Sequence, residues 1–268
     1  MKPADLEFLD AFNPISLEEI TGAKLYDRID TKFLFRLDLL PGILKELQPF
    51  YRIMNVNHTR ISRYETCYYD TPDFAFYRQH HNGKLNRWKV RTRKYVNSDQ
   101  CYFELKFKNN KDRTVKDRIE IHETDDPIHG ASKRLLLQQT PFEPGMLQPV
   151  LTVLYDRITL VNNSLTERLT IDTRLSFRAA GEECSFPMIA IAEIKQEKAS
   201  RSQFLSVMHQ YHIRKQAISK YCIGIASIFR EIKKNNFKVK LRHINQLNHA
   251  QFKDLHYNSL PVNSGFSR

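Results

Sequence analysis

Within LNRWKVRTRKY, Arg87, Lys89, Arg91 and Arg93 occupy every second position, with Trp88, Val90 and Thr92 between them. At strand periodicity that spacing puts four cations on one face. Neighbours at i and i+2 lie about 7 Å apart, and at an effective dielectric of about 20 each such pair repels by roughly 2–3 kcal/mol before salt screening. A solvated sheet face mixes Thr, Ser, Gln, Glu and Lys. A face this cationic calls for a counter-anion, and guanidinium forks beside ammonium groups suit a chain of phosphates.

The alternation recurs along the chain. Residues 100–108 set Glu104, Lys106 and Lys108 against Phe103, Leu105 and Phe107, and residues 115–122 set Lys116, Arg118 and Glu120 against Ile119 and Ile121. Residues 165–178 set Arg168, Thr170, Asp172, Arg174, Ser176 and Arg178 against Leu169, Ile171, Leu175 and Phe177. Residues 188–196 offer Glu193 and Lys195, and residues 28–36 offer Arg28, Asp30 and Lys32. A half-exposed antiparallel sheet explains any one of these strands. All of them together are explained by a closed or nearly closed barrel with the charged face lining a lumen and the apolar face outward under helices such as residues 200–229. Glu104, Asp172 and Glu193 could then hold a divalent cation that bridges phosphates. Nucleic acid is not an expected partner, because Phe103, Phe107 and Phe177 fall opposite the cations and offer bases no stacking surface. Trp88 reads as packing on the outer face.

The elements that must position these side chains follow from the pattern. Residues 4–20 read as helical, 28–36 as a strand, and 39–50 as a short helix opened by Pro41. Residues 63–69 read as a strand stopped by Asp70-Thr71-Pro72-Asp73, and 74–81 as a helical turn closed by Asn82-Gly83. Strands at 86–95, 100–108 and 115–122 form a meander. A helix ends at Gln139, and strands follow at 149–160, 165–178 and 188–196. Residues 200–229 read as one long amphipathic helix, with Phe204, Val207, Met208, Tyr211, Ile218, Cys222 and Ile225 on one side. The expectation is an α+β chain: residues 1–230 as one tunnel domain and 231–268 as a loose, basic C-terminal extension.

Composition narrows the classes further. The 268 residues are 41% hydrophobic, with 17 Phe and 12 Tyr, enough for a sizeable core. The formal charge of +12 is concentrated in residues 87–118 and 231–268, which favours polyanionic partners. Only 8 Gly are present, with neither a P-loop nor a GxGxxG pattern, which argues against a Gly-rich nucleotide-binding fold. Cys67, Cys101, Cys184 and Cys222 lack metal spacing and read as free thiols of a reducing compartment. Without an apolar leader or a run near the roughly 20 residues that span a bilayer, the expected location is cytoplasmic.

Taken in order, YETCYYDTPD, LNRWKVRTRKY, FELKFK, VKDRIEI, YDRI, ERLTIDTRL, AIAEIKQEK and ISKYCIGI resemble the catalytic domain of the vacuolar transporter chaperone complex and its bacterial relatives, within the triphosphate tunnel metalloenzymes. The resemblance covers about residues 22–230. It implies an eight-stranded antiparallel tunnel that makes inorganic polyphosphate from ATP, releasing ADP, with a divalent cation (Mn2+ or Mg2+) required. It implies that Lys32, Arg91, Arg93, Lys106 and Arg157 grip the reacting phosphates. Arg87, Lys89, Lys116, Arg118, Tyr155, Arg168 and Lys195 are further phosphate contacts, and Ser219 and Lys220 a helix-borne pair at one tunnel mouth. His80 falls where relatives carry another arginine, and Glu193 matches the metal-binding glutamate. Relatives that hydrolyse triphosphate or make cyclic AMP carry ExExK on the first strand. Here that stretch is Arg28-x-Asp30-x-Lys32, which favours the polymerase branch. Inorganic triphosphatase and passive polyanion binding are the alternatives. The basic tail could attract an acidic membrane surface or a membrane-bound partner that exports product, although a solvated, loose end is the plainer reading.

Overall fold

A computed structural model describes residues 7–22, 28–111, 113–122, 128–197 and 201–249. In chain order its elements are α1 (Glu7–Asp10), β1 (Pro14–Ile15), α2 (Leu17–Gly22), β2 (Arg28–Arg36), α3 (Leu40–Leu47), β3 (Tyr51–Met54), β4 (Ile61–Asp70), α4 (Ala75–His81), β5 (Arg87–Tyr95), β6 (Gln100–Lys108) and β7 (Thr114–Ile121). They continue with α5 (Gly130–Gln139), β8 (Gln148–Asn162), β9 (Glu167–Ala179), β10 (Glu182–Phe186), β11 (Ile189–Glu197), α6 (Gln203–Gln210), α7 (Lys220–Ile228) and α8 (Lys238–His249).

Eight strands pair in the order β2-β11-β9-β8-β4-β5-β6-β7, every neighbour antiparallel, with β1, β3 and β10 attached at the side. The sheet curls until its two halves face each other. Lys106 on β6 is within electrostatic reach of Glu193 and Lys195 on β11, and Lys89 on β5 within reach of Lys32 on β2. Among the described residues no ladder joins β2 to β7. Instead Phe33 bridges to Lys215, and the Gln216 amide donates to the Lys32 carbonyl at 2.8 Å. The tunnel is thus nearly closed, with a seam between its two end strands.

Outside, the apolar face is covered as its alternation predicts. Phe33, Phe35, Leu169, Ile171, Ala192 and Ile194 pack under α3 and α6, and Val90, Phe103 and Leu105 pack with Leu136 of α5. Trp88 stacks on Phe107 with ring centroids 4.4 Å apart.

Four expectations need correction. Residues 200–229 form two helices, α6 and α7, each capped by a serine: Ser202 accepts from the Leu205 amide and Ser219 from the Cys222 amide. Between them the chain passes through a left-handed His212 (φ 55°) and runs extended along β2. Secondly, α7 does not cover the outer face; it stoppers one end of the lumen. There Leu34, Leu151, Val153, Leu175, Phe177 and Ile191 surround Tyr221, Ile223 and Ile225. Contact is so close that a Cβ on Gly224 would stand 2.4 Å from Phe177 and 2.6 Å from Leu151.

Thirdly, Arg174, Ser176 and Arg178 do not share a face with Arg168, Thr170 and Asp172. Leu154 and Asp156 of β8 oppose Ser176 and Thr173 of β9, so β9 carries one extra residue, a bulge at left-handed Arg174 (φ 52°). Beyond it the parity flips, Leu175 and Phe177 turn inward, and Arg174 and Arg178 become exposed. Fourthly, residues 7–22 and 238–249 differ from their expected form. Of 4–20, residues 4–6 lie outside the described residues. The rest divides at Asn13-Pro14 into α1, β1 and α2, where Ser16 and Glu19 bond each other's amides as a capping box. Residues 238–249 of the supposedly loose tail are α8, with Phe237 and Ile244 buried against the core.

Candidate active site

On β5, Arg91 reaches Glu104 of β6 (Nε to Oε2, 2.7 Å) and Tyr68 of β4 (Nη1 to the hydroxyl, 3.2 Å). Lys116 of β7 reaches Glu104 Oε1 at 2.5 Å, and Arg93 Nη1 stands 3.9 Å from Oε2. On β8, Arg157 grips Asp172 of β9 with two bonds, Nε at 2.6 Å and Nη2 at 2.8 Å. Lys220, the first residue of α7, donates to the same carboxylate. Lys32 of β2 lies 3.0 Å and Lys195 2.5 Å from the two oxygens of Glu193 on β11, and Lys195 also donates to Asp30 at 2.9 Å. Each lumen carboxylate is therefore shared by cations, an arrangement that preorganises donors for an anion.

Sequence reasoning named Tyr155 but missed Tyr64, Tyr68 and Tyr102. Tyr64 and Tyr155 stack at 5.1 Å, and the Arg157 guanidinium lies over both rings, 5.1 and 5.3 Å from their centroids. Arg93 sits over Tyr64, Arg91 over Tyr68, Arg118 over Tyr102 and the Lys220 ammonium over Tyr155. These rings hold the cations by their faces. The expected separation of aromatics from cations therefore fails: Tyr64, Tyr68, Tyr102 and Tyr155 share the lumen face. Phe177 also turns inward, against the stopper, while Phe103 stays outside. The signal was in the period-two reading of YETCYYD, whose even positions carry Tyr64, Thr66 and Tyr68.

Asp70, the first residue of the DTPD turn, proves structural. It is buried and accepts from the amides of Thr71, Phe76 and Tyr77 and from the Tyr221 hydroxyl, tying β4 and α4 to the stopper.

Other expected residues make contacts of their own. Arg168 donates to the Ile20 carbonyl at 3.2 Å, towards α2. Arg87 donates to the Lys84 carbonyl at the end of β5. Ser219 lies at the inner end of the stopper, 3.4 Å from Lys89 Nζ, and not at a mouth. His80 stands on α4. The Arg28 side chain lies outside the described residues.

Lys89 and Lys106 differ from Lys32, Arg91, Arg93, Lys116, Arg157, Lys195 and Lys220: among the described residues no carboxylate stands within ion-pair distance of either. Burial, reinforced by Arg91, Arg87 and Lys32, pulls Lys89 down to about 8. Burial, with Lys89 and Arg91 against the opposing pull of Glu193, brings Lys106 to about 8 as well. Burial alone would raise the Glu104 carboxyl, but Arg91, Arg93 and Lys116 outweigh it and hold it at about 2.

A pH dependence follows. An anion that pairs with these two lysines restores their protons, so tripolyphosphate binding takes up protons near pH 8 and weakens above it. Ligand-free stability runs the other way. Between about pH 8 and the ordinary lysine value of about 10.4 the folded chain binds fewer protons than the unfolded one, so stability rises with pH there. Calorimetry in buffers of different ionisation enthalpy reads the first effect and denaturant titration the second. Affinity unchanged across that window would count against an anion at Lys89 and Lys106.

The cluster's fit to a metal is narrow. No three His, Cys, Asp or Glu side chains among the described residues are grouped to hold one. All three expected metal carboxylates pair with cations, but Glu104 and Asp172 are buried, at 1% and 3% side-chain exposure, whereas Glu193 keeps 21%. Glu193 fits only as the single protein ligand of an ion whose other positions are phosphates and water, a common way of holding Mg2+.

No helix among the described residues is long and apolar enough to cross a membrane. Among solved structures the chain is similar to a candidate adenylate cyclase from Bacillus halodurans (14% identity, TM-score 0.49, 76% of this chain and 100% of that one). Another candidate adenylate cyclase, from Vibrio parahaemolyticus, gives 13% identity and TM-score 0.45 over 73% of this chain and 96% of that one. A Hippeastrum protein described as having a dominant triphosphatase activity gives 12% and 0.45, over 76% and 98%. Likenesses at this level say nothing about activity. No curated protein matches the chain. The VTC domain family does match, over residues 27–229, from β2 to the end of the stopper helix. The chain belongs to the VTC domain family.

Proposed function

We propose that this chain is a polyphosphate polymerase: the bond from the β–γ bridging oxygen of ATP to the γ-phosphorus breaks, a terminal phosphate oxygen of the growing chain bonds that phosphorus, and ADP leaves. The observation that carries the reading is the convergence on one lumen of Arg91, Arg93, Arg157, Lys32 and Lys116, each set by a carboxylate, around Lys89 and Lys106, which have none. In this reading the paired cations position non-bridging oxygens and the two depressed lysines take up the charge of the chain. The acceptor is a phosphate terminus, ionised at neutral pH, so no strong general base is needed. A divalent cation, Mn2+ or Mg2+, entering with the phosphates beside Glu193 would neutralise charge on the transferred group. Residues 1–230 would form the polymerase unit, and a membrane protein that carries product away is the partner this reading expects.

Hydrolysis of triphosphate by the same residues is the competing reading, and it would be favoured if the unpaired seam between β2 and β7 admits water. Incubation with ATP and Mn2+ separates them. ADP with long phosphate chains supports the polymerase. Orthophosphate alone supports the hydrolase. Tight binding with no turnover would leave a polyanion-binding module.

A further inference from the structure

Beyond Lys89 the lumen cannot continue along its axis for an anionic chain, because α7 fills that end with apolar side chains. Charge continues sideways. Helix α8 lies outside the residues that match the family and is pinned across the stoppered end. The Asn236 amide donates to His81 Nε2 at 3.2 Å, and its side chain donates to the His81 carbonyl at 2.7 Å. Phe237 meets the rings of His81 and His80 edge-on, at 5.4 and 6.3 Å. Gln216 Nε2 bonds His243 Nδ1 at 3.0 Å, and Asn248 Oδ1 accepts from the Met188 amide at 3.1 Å.

These anchors hold Lys240, its ammonium 5.9 Å from the Phe237 centroid, in the field at His80 together with Lys89, Arg87 and Lys108. His80 Nδ1 is buried and has no hydrogen-bond partner. Burial and those four cations keep the imidazole neutral, at about 3, so it stands as a hydrogen-bonding ring inside a cationic ring of neighbours. An unsatisfied buried nitrogen among cations matches a phosphate oxygen, which would accept from an Nδ1–H and from the ammonium and guanidinium groups together.

We propose that His80, Arg87, Lys108 and Lys240 form a lateral phosphate track that takes a linear polyphosphate out of the lumen past α8. The inference rests on the polymerase reading and adds a route and a helix to it. Short anions end within the lumen; only chains longer than the lumen reach Lys240.

The test compares tripolyphosphate with long-chain polyphosphate for binding to the full-length protein, its Lys240→Glu variant and its Lys240→Arg variant. The expected result is that Lys240→Glu lowers the ratio of long-chain to tripolyphosphate affinity about tenfold and flattens its salt dependence, while Lys240→Arg restores both. A ratio that Lys240→Glu leaves unchanged, in a protein that binds both anions, overturns the track alone. A wild-type protein that binds neither anion overturns the polymerase reading and the track with it.

Discussion

Lys106→Met is expected to depress turnover by about a hundredfold or more while making the ligand-free protein more stable. The two effects have one cause. Lys106 is held half-buried on β6 in the field of Lys89, Arg91 and Lys195, opposed by Glu193, which is not an ion-pair partner. Its depression to about 8 means that at neutral pH the folded state works against the charge on this ammonium. Relieving that strain contributes on the order of 2 kcal/mol, after discounting for the water that reaches a half-buried group. Methionine keeps the length and apolar stem and removes the charge. A lysine retained for structure would behave oppositely: its loss would destabilise the chain and leave turnover intact. Urea denaturation at pH 7 and again at about pH 10 separates the two, because the gain in stability should shrink as the wild-type lysine loses its proton. A variant that is less stable at pH 7 and fully active would remove Lys106 from the site.

That trade-off accounts for the cation spacing read first in β5. Arg87, Lys89, Arg91 and Arg93 do face one side, and the sheet does curl that side inward. Strand existence, the meander and the tunnel were legible because period-two alternation is strong wherever one face is buried and the other charged. The break between α6 and α7 was not, because Phe204, Val207, Met208 and Tyr211 run on to Ile218, Cys222 and Ile225 at helical spacing, with no Gly or Pro between Tyr211 and Ile218. The two N-cap serines, Ser202 and Ser219, were the available signal. Nor was the β9 bulge legible, since it is built on a left-handed arginine where glycine or asparagine would have announced it. Missing the bulge hid the change of the lumen wall from polar to apolar, and with it the place where α7 enters. At α8 the composition misled: the segment is polar and basic, and its attachment depends on two buried side chains, Phe237 and Ile244, with hydrogen bonds from Asn236 and Asn248.

Asp172→Asn is expected to lower stability by about 3–5 kcal/mol, the range for breaking a buried ion pair from one side. Asp172 is 3% exposed, and its two oxygens serve the Arg157 fork and the Lys220 ammonium. An amide keeps the shape but cannot accept from both cations at either end, so Arg157 and Lys220 stay buried without a counter-charge. Because Lys220 opens α7, the stopper's first turn should loosen before the sheet does. Hydrogen exchange at the amides of α7 should accelerate more than at β8 or β9. The acid limb offers a second readout. Burial would raise the Asp172 carboxyl, but Arg157 and Lys220 outweigh it and hold it below the ordinary carboxylate value. Its contribution is therefore fully present above about pH 4 and is lost as pH falls through the depressed folded value, so the wild-type and Asp172→Asn acid-unfolding curves should converge there. If the two proteins instead unfold together at neutral pH, with α7 equally protected in both, the carboxylate does not anchor the stopper, and Asp70 through Tyr221 must hold it alone.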